Sequence, residues 1–185
     1  MEKSKTIKRG QVLVSAGEHG SVWRITEGVF RFERVGHDGL SLVQLGLPGD
    51  LLGVEALCAE PYAYTITAIT TGQAELVATD RELTRFGIVA KAYLQQQRRT
   101  HDMMRLRSGP VAERLAHFLK LLARNTDGSE RELDRPDLPV LKEVASILDV
   151  ATETVCRELN AFLPARVYPR AKRSAWVGDA FAMAA

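Results

Sequence analysis

A change of hydrophobic period near residue 81 constrains this chain more than any other feature. Before it, short runs such as Val22-Trp23-Arg24-Ile25, Val29-Phe30-Arg31-Phe32-Glu33-Arg34-Val35 and Leu40-Ser41-Leu42-Val43-Gln44-Leu45 alternate with period two. Turn signals cut them at Ala16-Gly17-Glu18-His19-Gly20, Glu27-Gly28, Gly36-His37-Asp38-Gly39 and Leu47-Pro48-Gly49-Asp50. Half-buried strands need that alternation, and glycine or Asp in the turns supplies the backbone freedom to reverse direction. Tyr64 to Ile69 and Ala74 to Ala78 add two strands, and Gly53 to Leu57 a short helix. Strands this frequent suit a β-roll or barrel.

After about Arg81 the period lengthens. Arg85 to Arg107 holds no proline and one glycine, Gly87. A three-four spacing runs through Phe86, Ala90, Tyr93, Gln97, Thr100 and Met104, the seam of a weak coiled coil whose polar positions set register. A stripe on so long a helix predicts a dimer interface; the alternative is a helix packed on its own β domain. Ser108-Gly109-Pro110 ends it, with Ser108 a candidate cap and Pro110 suited to a first helical turn. The next helix, Val111 to Ala123, is expected to bury Val111, Leu115, Phe118, Leu119 and Leu122. A polar loop or short ribbon from Asn125 to Pro139 follows.

Charge divides the chain in the same way. Residues 35 to 80 carry six acids and no Lys or Arg, whereas residues 81 to 185 carry eighteen basic and thirteen acidic residues. A basic C-terminal half predicts an anionic partner, with nucleic acid the first candidate. The composition, 45% hydrophobic and 26% charged, is that of a soluble globular protein. No apolar run is long enough to span a membrane, and no apolar signal region follows Met1-Glu2-Lys3-Ser4-Lys5, so a cytoplasmic location is expected. Cys58 and Cys156 form no CxxC pair and are expected to be reduced, buried thiols.

Leu141 to Leu159 carries the sharpest functional signal. Val144, Ile147 and Leu148 line one helix face, with small Ala145 where a second helix must cross closely. Asp149 falls where a tight turn needs a left-handed backbone. Val150, Val155 and Leu159 anchor the second helix, whose other face shows Thr152, Glu153 and Arg157. Two such helices form a helix-turn-helix, the second entering the major groove. There Arg can donate twice to guanine and Glu can accept from cytosine. Glu153 and Arg157, four apart, could equally form an ordinary surface salt bridge. Beyond Pro164, Arg166, Arg170, Lys172 and Arg173 lie in a strand, basic turn and strand that suit a phosphate-contacting wing. Lys142 and Thr154 complete the candidate phosphate contacts.

With these motifs in view the chain resembles the CRP/FNR family of bacterial regulators, the cyclic-AMP receptor protein and its relatives. The likeness rests on Arg9-Gly10-Gln11-Val12-Leu13, Glu27-Gly28, His37-Asp38-Gly39 and Pro48-Gly49-Asp50-Leu51-Leu52-Gly53. In the C-terminal half, Ala151-Thr152-Glu153-Thr154-Val155-Cys156-Arg157 resembles the family's recognition helix, often S/T-R-E-T-V-x-R. The resemblance implies an α+β chain of three parts. These are a β-roll like a cyclic-nucleotide-binding jelly roll (1–84), a dimerisation helix (85–108) and a winged helix-turn-helix (109–185). It implies a homodimer on two-fold symmetric double-stranded DNA, activating transcription with RNA polymerase as partner. Thr152 stands where the family often has Arg, so a different half-site is expected. Ala151 stands where a Ser or Thr cap is common, at a cost of about 1 kcal/mol unless Asp149 or Thr152 caps instead. The usual N-terminal helix is expected to be short or absent.

The effector region departs further. Cyclic-AMP binders carry Glu after the glycine corresponding to Gly53, then an Arg-Ser or Arg-Thr pair; here stand Val54 and Glu55, then Tyr62-Ala63-Tyr64-Thr65. A degenerate pocket is therefore expected, with Arg99 and Thr100 on the long helix as its only prospective polar help. Arg98 and Arg99 are expected to face solvent. The four-cysteine cluster of oxygen sensors is absent, and His19, His37, His101 and His117 are scattered, so neither metal nor cofactor is expected. The expectation is a regulator, not an enzyme, that binds DNA without cyclic AMP. The alternatives are a ligand-sensing β-roll whose DNA binding needs an unidentified effector, and a cupin-like enzyme, which would need clustered His and carboxylate ligands.

Overall fold

The computed structural model describes residues 4–37, 39–125 and 129–163. Its first part is a roll of two four-stranded antiparallel sheets. The strands are β1 (Ser4–Ile7), β2 (Val12–Val14), β3 (Trp23–Glu27), β4 (Phe30–Gly36), β5 (Gly39–Gly46), β6 (Leu51–Leu52), β7 (Thr65–Ala68) and β8 (Gly72–Leu76), ordered β1-β8-β3-β6 and β2-β7-β4-β5. A short 3-10 helix, Val54–Cys58, lies between β6 and β7. Inward residues of both sheets, among them Ile25, Phe30, Phe32, Leu52, Ile66 and Ala74, close one core. Full burial of each large apolar side chain stabilises the roll by about 1.5–3 kcal/mol.

The helices follow as α1 (Glu82–Arg107), α2 (Val111–Ala123), α3 (Leu141–Leu148) and α4 (Thr152–Phe162), with a 3-10 turn at Arg135–Asp137. Helix α1 buries Ile88, Gln95, Arg99, Met103 and Leu106 against its own chain. Its first residue is Glu82, three before the boundary expected from periodicity.

A second core joins the two halves. Val29, Leu42, Leu45, Leu47 and Ile69 of the roll pack with Met103 and Leu106 of α1 and with Leu115, Phe118, Leu121 and Leu122 of α2. Val144, Ala145, Ile147 and Leu148 of α3 and Val155 and Leu159 of α4 complete it. Period-two alternation explains how the roll contributes. Phe30 and Phe32 point into the roll, which places Arg31 and Glu33 on the outer face that the helices cover. Glu33 is buried there although it is charged.

Three local expectations are corrected. Helix α2 buries Leu121 where periodicity gave Val111 and Leu119, both only partly covered. Ser108 does not cap α2; its Oγ donates to the Met104 carbonyl at 2.6 Å, and Pro110 occupies the N-cap. Between them Gly109 has φ +85°, a left-handed value that favours glycine. Cys58 and Cys156 are free, as expected, but both are exposed.

Candidate functional site

Helices α3 and α4 meet through Val144, Ala145, Ile147, Leu148, Val155 and Leu159, all buried. Asp149 joins them with φ 53° and ψ 55°, the left-handed conformation expected of it, and the Val150 amide returns to the Ala145 carbonyl at 3.1 Å. No side chain caps α4 at Ala151, so neither Asp149 nor Thr152 supplies the missing cap. Glu153 in the first turn offsets part of that loss by facing the positive end of the helix.

The outward face of α4 presents Glu153, Cys156 and Arg157, with Thr152 and Thr154 half-buried at its edge. Arg157 is 74% exposed; its acidic neighbour is Glu158, with Nε and Oε1 3.5 Å apart. The alternative Glu153–Arg157 bridge is not formed, which leaves the Glu153 carboxylate without an ion pair among the described residues. Lys142 is exposed on the first turn of α3. Arg166, Arg170, Lys172 and Arg173 lie outside the described residues.

Helix α1 has a second, exposed side. Phe86 (76%), Tyr93 (64%) and Met104 (64%) stand in solvent, and Ala90, Gln97 and Thr100 lie exposed between them. Gln97 donates to the Tyr93 hydroxyl, and Thr100 to the Gln96 carbonyl. Exposed Leu83, Val89 and Leu94 widen this stripe. Their apolar character was legible, but a strict three-four seam passed over them.

Between α1 and the roll lies a cavity of about 330 Å³. Val54, Glu55, Tyr62 and Tyr64 line it with Gln44, Cys58, Gln95 and Gln96, whereas Ala63, Thr65 and Thr100 do not. No Lys or Arg is among its described lining residues. Tyr62 fills one wall: its hydroxyl donates to the Ser21 carbonyl at 2.8 Å and accepts from the Ser21 amide at 2.7 Å. Burial raises its pKa, which keeps the phenol neutral. Gly53, at φ +69°, admits the Tyr62 ring so closely that a Cβ would lie 2.5 Å from it. Glu55 accepts from the Ala63 amide at 3.2 Å.

Arg99 neither faces solvent nor lines the cavity. Its Nε and Nη2 donate to the two Asp50 carboxylate oxygens at 2.7 and 2.9 Å, and Nη1 donates to Asp102 at 2.6 Å. Burial opposes the Arg99 charge, but these hydrogen bonds outweigh it and raise the pKa. The other Asp102 oxygen meets His117 Nε2 of α2 at 3.1 Å. Sequence reasoning missed this network because its acids lie in a turn and on the same helix, without a motif. A second tie joins Arg31 Nη1 to Glu143 Oε2 of α3 at 2.7 Å.

Comparison with known proteins agrees with this geometry. Residues 4–85 match the cyclic nucleotide-binding domain family. A CRP-family transcriptional regulator from Thermus thermophilus is similar over 85% of this chain and 83% of its own, with 27% identity and a TM-score of 0.61. Residues 4–85 thus match a cyclic nucleotide-binding domain, and over most of its length the chain is similar to a CRP-family transcriptional regulator. The chain also shares its fold with a CRP/FNR-family protein of Thermus thermophilus (22% identity, TM-score 0.61, 86% and 85% covered). FixK2 from Bradyrhizobium japonicum gives 19% identity and a TM-score of 0.64, with 88% of this chain and 84% of that one covered. No curated protein sequence matches the chain. Among its described residues no helix is long and apolar enough to cross a membrane, and no three metal-ligating side chains gather.

Proposed function

We propose that the chain is a cytoplasmic, sequence-specific DNA-binding transcription regulator and not an enzyme, acting as a homodimer on a two-fold symmetric site. The observation that carries this is the α3–α4 pair. One face of α4 is locked into the core by Val155 and Leu159, while Glu153 and Arg157 stand exposed on the other with no pairing to each other. A guanidinium so placed can reach guanine O6 and N7, and the carboxylate can accept from cytosine N4. Thr152 at the edge completes the base-reading set. Lys142, Thr154 and the basic residues Arg166, Arg170, Lys172 and Arg173 are assigned to phosphates.

The exposed stripe of α1 is assigned to a second copy. It is apolar on the side its own chain leaves uncovered, and an exposed patch of that kind favours association. Activation through RNA polymerase rests on the family resemblance alone.

The regulator is also proposed to need no cyclic AMP. A cyclic phosphate taken out of water needs a cation or several fixed donors. The cavity offers no cation among its described lining residues. It has the Glu55 carboxylate, the Tyr62 hydroxyl engaged at Ser21, the Gln95 carboxamide engaged at Leu51, and the neutral side chains of Gln44, Gln96 and Tyr64, while the nearby Arg99 is held by two aspartates. These residues do not fit a cyclic phosphate. A second reading is favoured by the cavity itself: its largely apolar wall would suit an uncharged ligand that tunes DNA binding.

Selection of bound DNA from a random pool tests the main reading. A two-fold symmetric sequence should emerge without any additive; failure to enrich any sequence would overturn it. Calorimetry with cyclic AMP should show no heat of binding, and the selected site should be bound equally with and without it. A tenfold gain in DNA affinity, about 1.4 kcal/mol of coupling, would restore cyclic-AMP control.

A further inference from the structure

The two halves of the regulator meet through contacts of two kinds. The apolar ones, which gather Leu42, Leu45 and Leu47 into one cluster with α1 and α2, are non-directional and hold the halves together without fixing their angle. The backbone link between α1 and α2 is short and passes through Gly109, so it fixes little either. Orientation needs directional bonds. Between the roll and α3 one such bond stands out, made by Arg31 and Glu143, which lie 112 residues apart in sequence.

Arg31 is gripped at its base. Its Nη2 lies 3.1 Å from Oε1 of Glu33, two residues along the same strand face, and Glu33 is itself a buried carboxylate. That anchor leaves Nη1 to reach across to Glu143 at 2.7 Å. The third nitrogen, Nε, is buried and makes no hydrogen bond among the described residues. A partly buried guanidinium of this kind relies on its two carboxylates, and loss of either leaves its charge short of an acceptor. On the other side, Glu143 precedes Val144 and Ala145, which pack directly into the α3–α4 contact. A displacement of α3 must therefore carry α4 with it.

We propose that Arg31 is a positioning residue for DNA recognition: paired with Glu143, it fixes the α3–α4 unit on the roll in one orientation without any ligand. The proposal rests on the DNA-binding reading above. It orients α4 rather than masking it, because Glu153, Cys156 and Arg157 remain exposed while the pair is closed. A charge-assisted hydrogen bond of this length is directional enough for that role. It also offers a physical reason for binding without cyclic AMP, since the angle an effector would set is already set by the chain.

The experiment uses the full-length protein with Glu143→Gln, Arg31→Lys and both together. Lysine keeps a cation for Glu33 but lacks the fork that serves two carboxylates at once. Three quantities are read: affinity for the selected site, affinity for random DNA, and amide exchange in α3. Each single variant should weaken the selected site about tenfold, and the double variant no further, as for two residues acting through one bond. Random DNA should be bound as before, or slightly more tightly by Glu143→Gln, which removes an acid. Exchange in α3 should quicken. A merely structural role would lower the melting temperature and leave the ratio of selected to random affinity unchanged, and that result overturns the proposal. So does tighter binding of the selected site, which would make the pair a restraint. If the wild type prefers no DNA sequence, the DNA reading fails by itself. Exchange then decides the pair: unchanged protection of α3 in both single variants refutes it, and faster exchange supports docking by Arg31.

Discussion

The cavity beside α1 and the outer face of α4 can both be reached from solvent, yet they treat charge in opposite ways. In and beside the roll three arginines are taken up by carboxylates, Arg24 by Glu75, Arg31 by Glu33 and Glu143, and Arg99 of α1 by Asp50 and Asp102, while Arg9 and Arg34 are exposed. On α4 Arg157 stands almost free, with one acidic neighbour at 3.5 Å. An arginine whose donors are all engaged holds elements in place; one with donors in water is available to a ligand. By that test Arg31 and Arg99 serve the structure, and Arg157 is the arginine of the two regions left available to a partner.

The largest expected effect breaks the contrast on the roll side. Arg99→Ala leaves Asp50 and Asp102 without their cation inside the protein and should cost about 3–5 kcal/mol, read as a fall in the urea midpoint. A loss below about 1 kcal/mol would mean that Arg99 is not structural. Next comes the exposed side of α1. Tyr93→Glu with Met104→Glu should yield monomers in sedimentation and weaken binding to a symmetric site on the order of 10²-fold, because the second half-site no longer benefits from linkage. A wild type already monomeric at micromolar concentration would refute that assignment.

A smaller effect sharpens the α4 side. Arg157→Ala should cost about 1–3 kcal/mol at the selected site and relax preference at one base pair, while Lys172→Ala and Arg173→Ala weaken all sequences alike and flatten the salt dependence. Equal losses for Arg157→Ala on selected and random DNA would make Arg157 a phosphate contact. The smallest is a pH effect. Burial, with help from Arg105, lowers the His117 pKa. Below the ordinary histidine value the unfolded chain then takes up a proton that the folded one does not, so stability should fall as the pH drops from about 7.5 to about 5.5. His117→Gln should flatten that slope, measured as melting temperature against pH. An unchanged slope would remove His117 from the account.

Much of this was legible in the sequence. Period-two runs placed β3, β4, β5, β7 and β8 to within a few residues, because one face of each strand is core and the alternation is plain. Asp149 was legible for a similar reason: few residue types tolerate its left-handed backbone. The exposed face of α4 followed from the buried spacing of Val155 and Leu159. Of Arg98 and Arg99, both expected in solvent because the stretch is polar, Arg98 is exposed but Arg99 is buried, and so is Gln95. Gln95 and Arg99 are one helical turn apart and both face the roll, where Leu51 and Asp50 supply partners. A single sequence shows which side chains are polar but not which of them meet a partner more than forty residues away. Cys58 and Cys156 failed the other way, since free cysteines are usually buried and these are exposed, Cys58 at the mouth of the cavity.

The Gln95 carboxamide accepts from the Leu51 amide at 2.7 Å and donates to the Leu51 carbonyl at 2.8 Å. Leu51 belongs to β6, the outermost strand of its sheet, and these are the backbone groups it turns away from β3. A side chain amide carries the same donor and acceptor as a peptide group, so Gln95 stands in for a missing neighbouring strand. An open strand edge invites pairing with another molecule and is a common start of aggregation. Here one glutamine closes the edge from within, and the sheet ends at a helix instead of offering itself to the next chain.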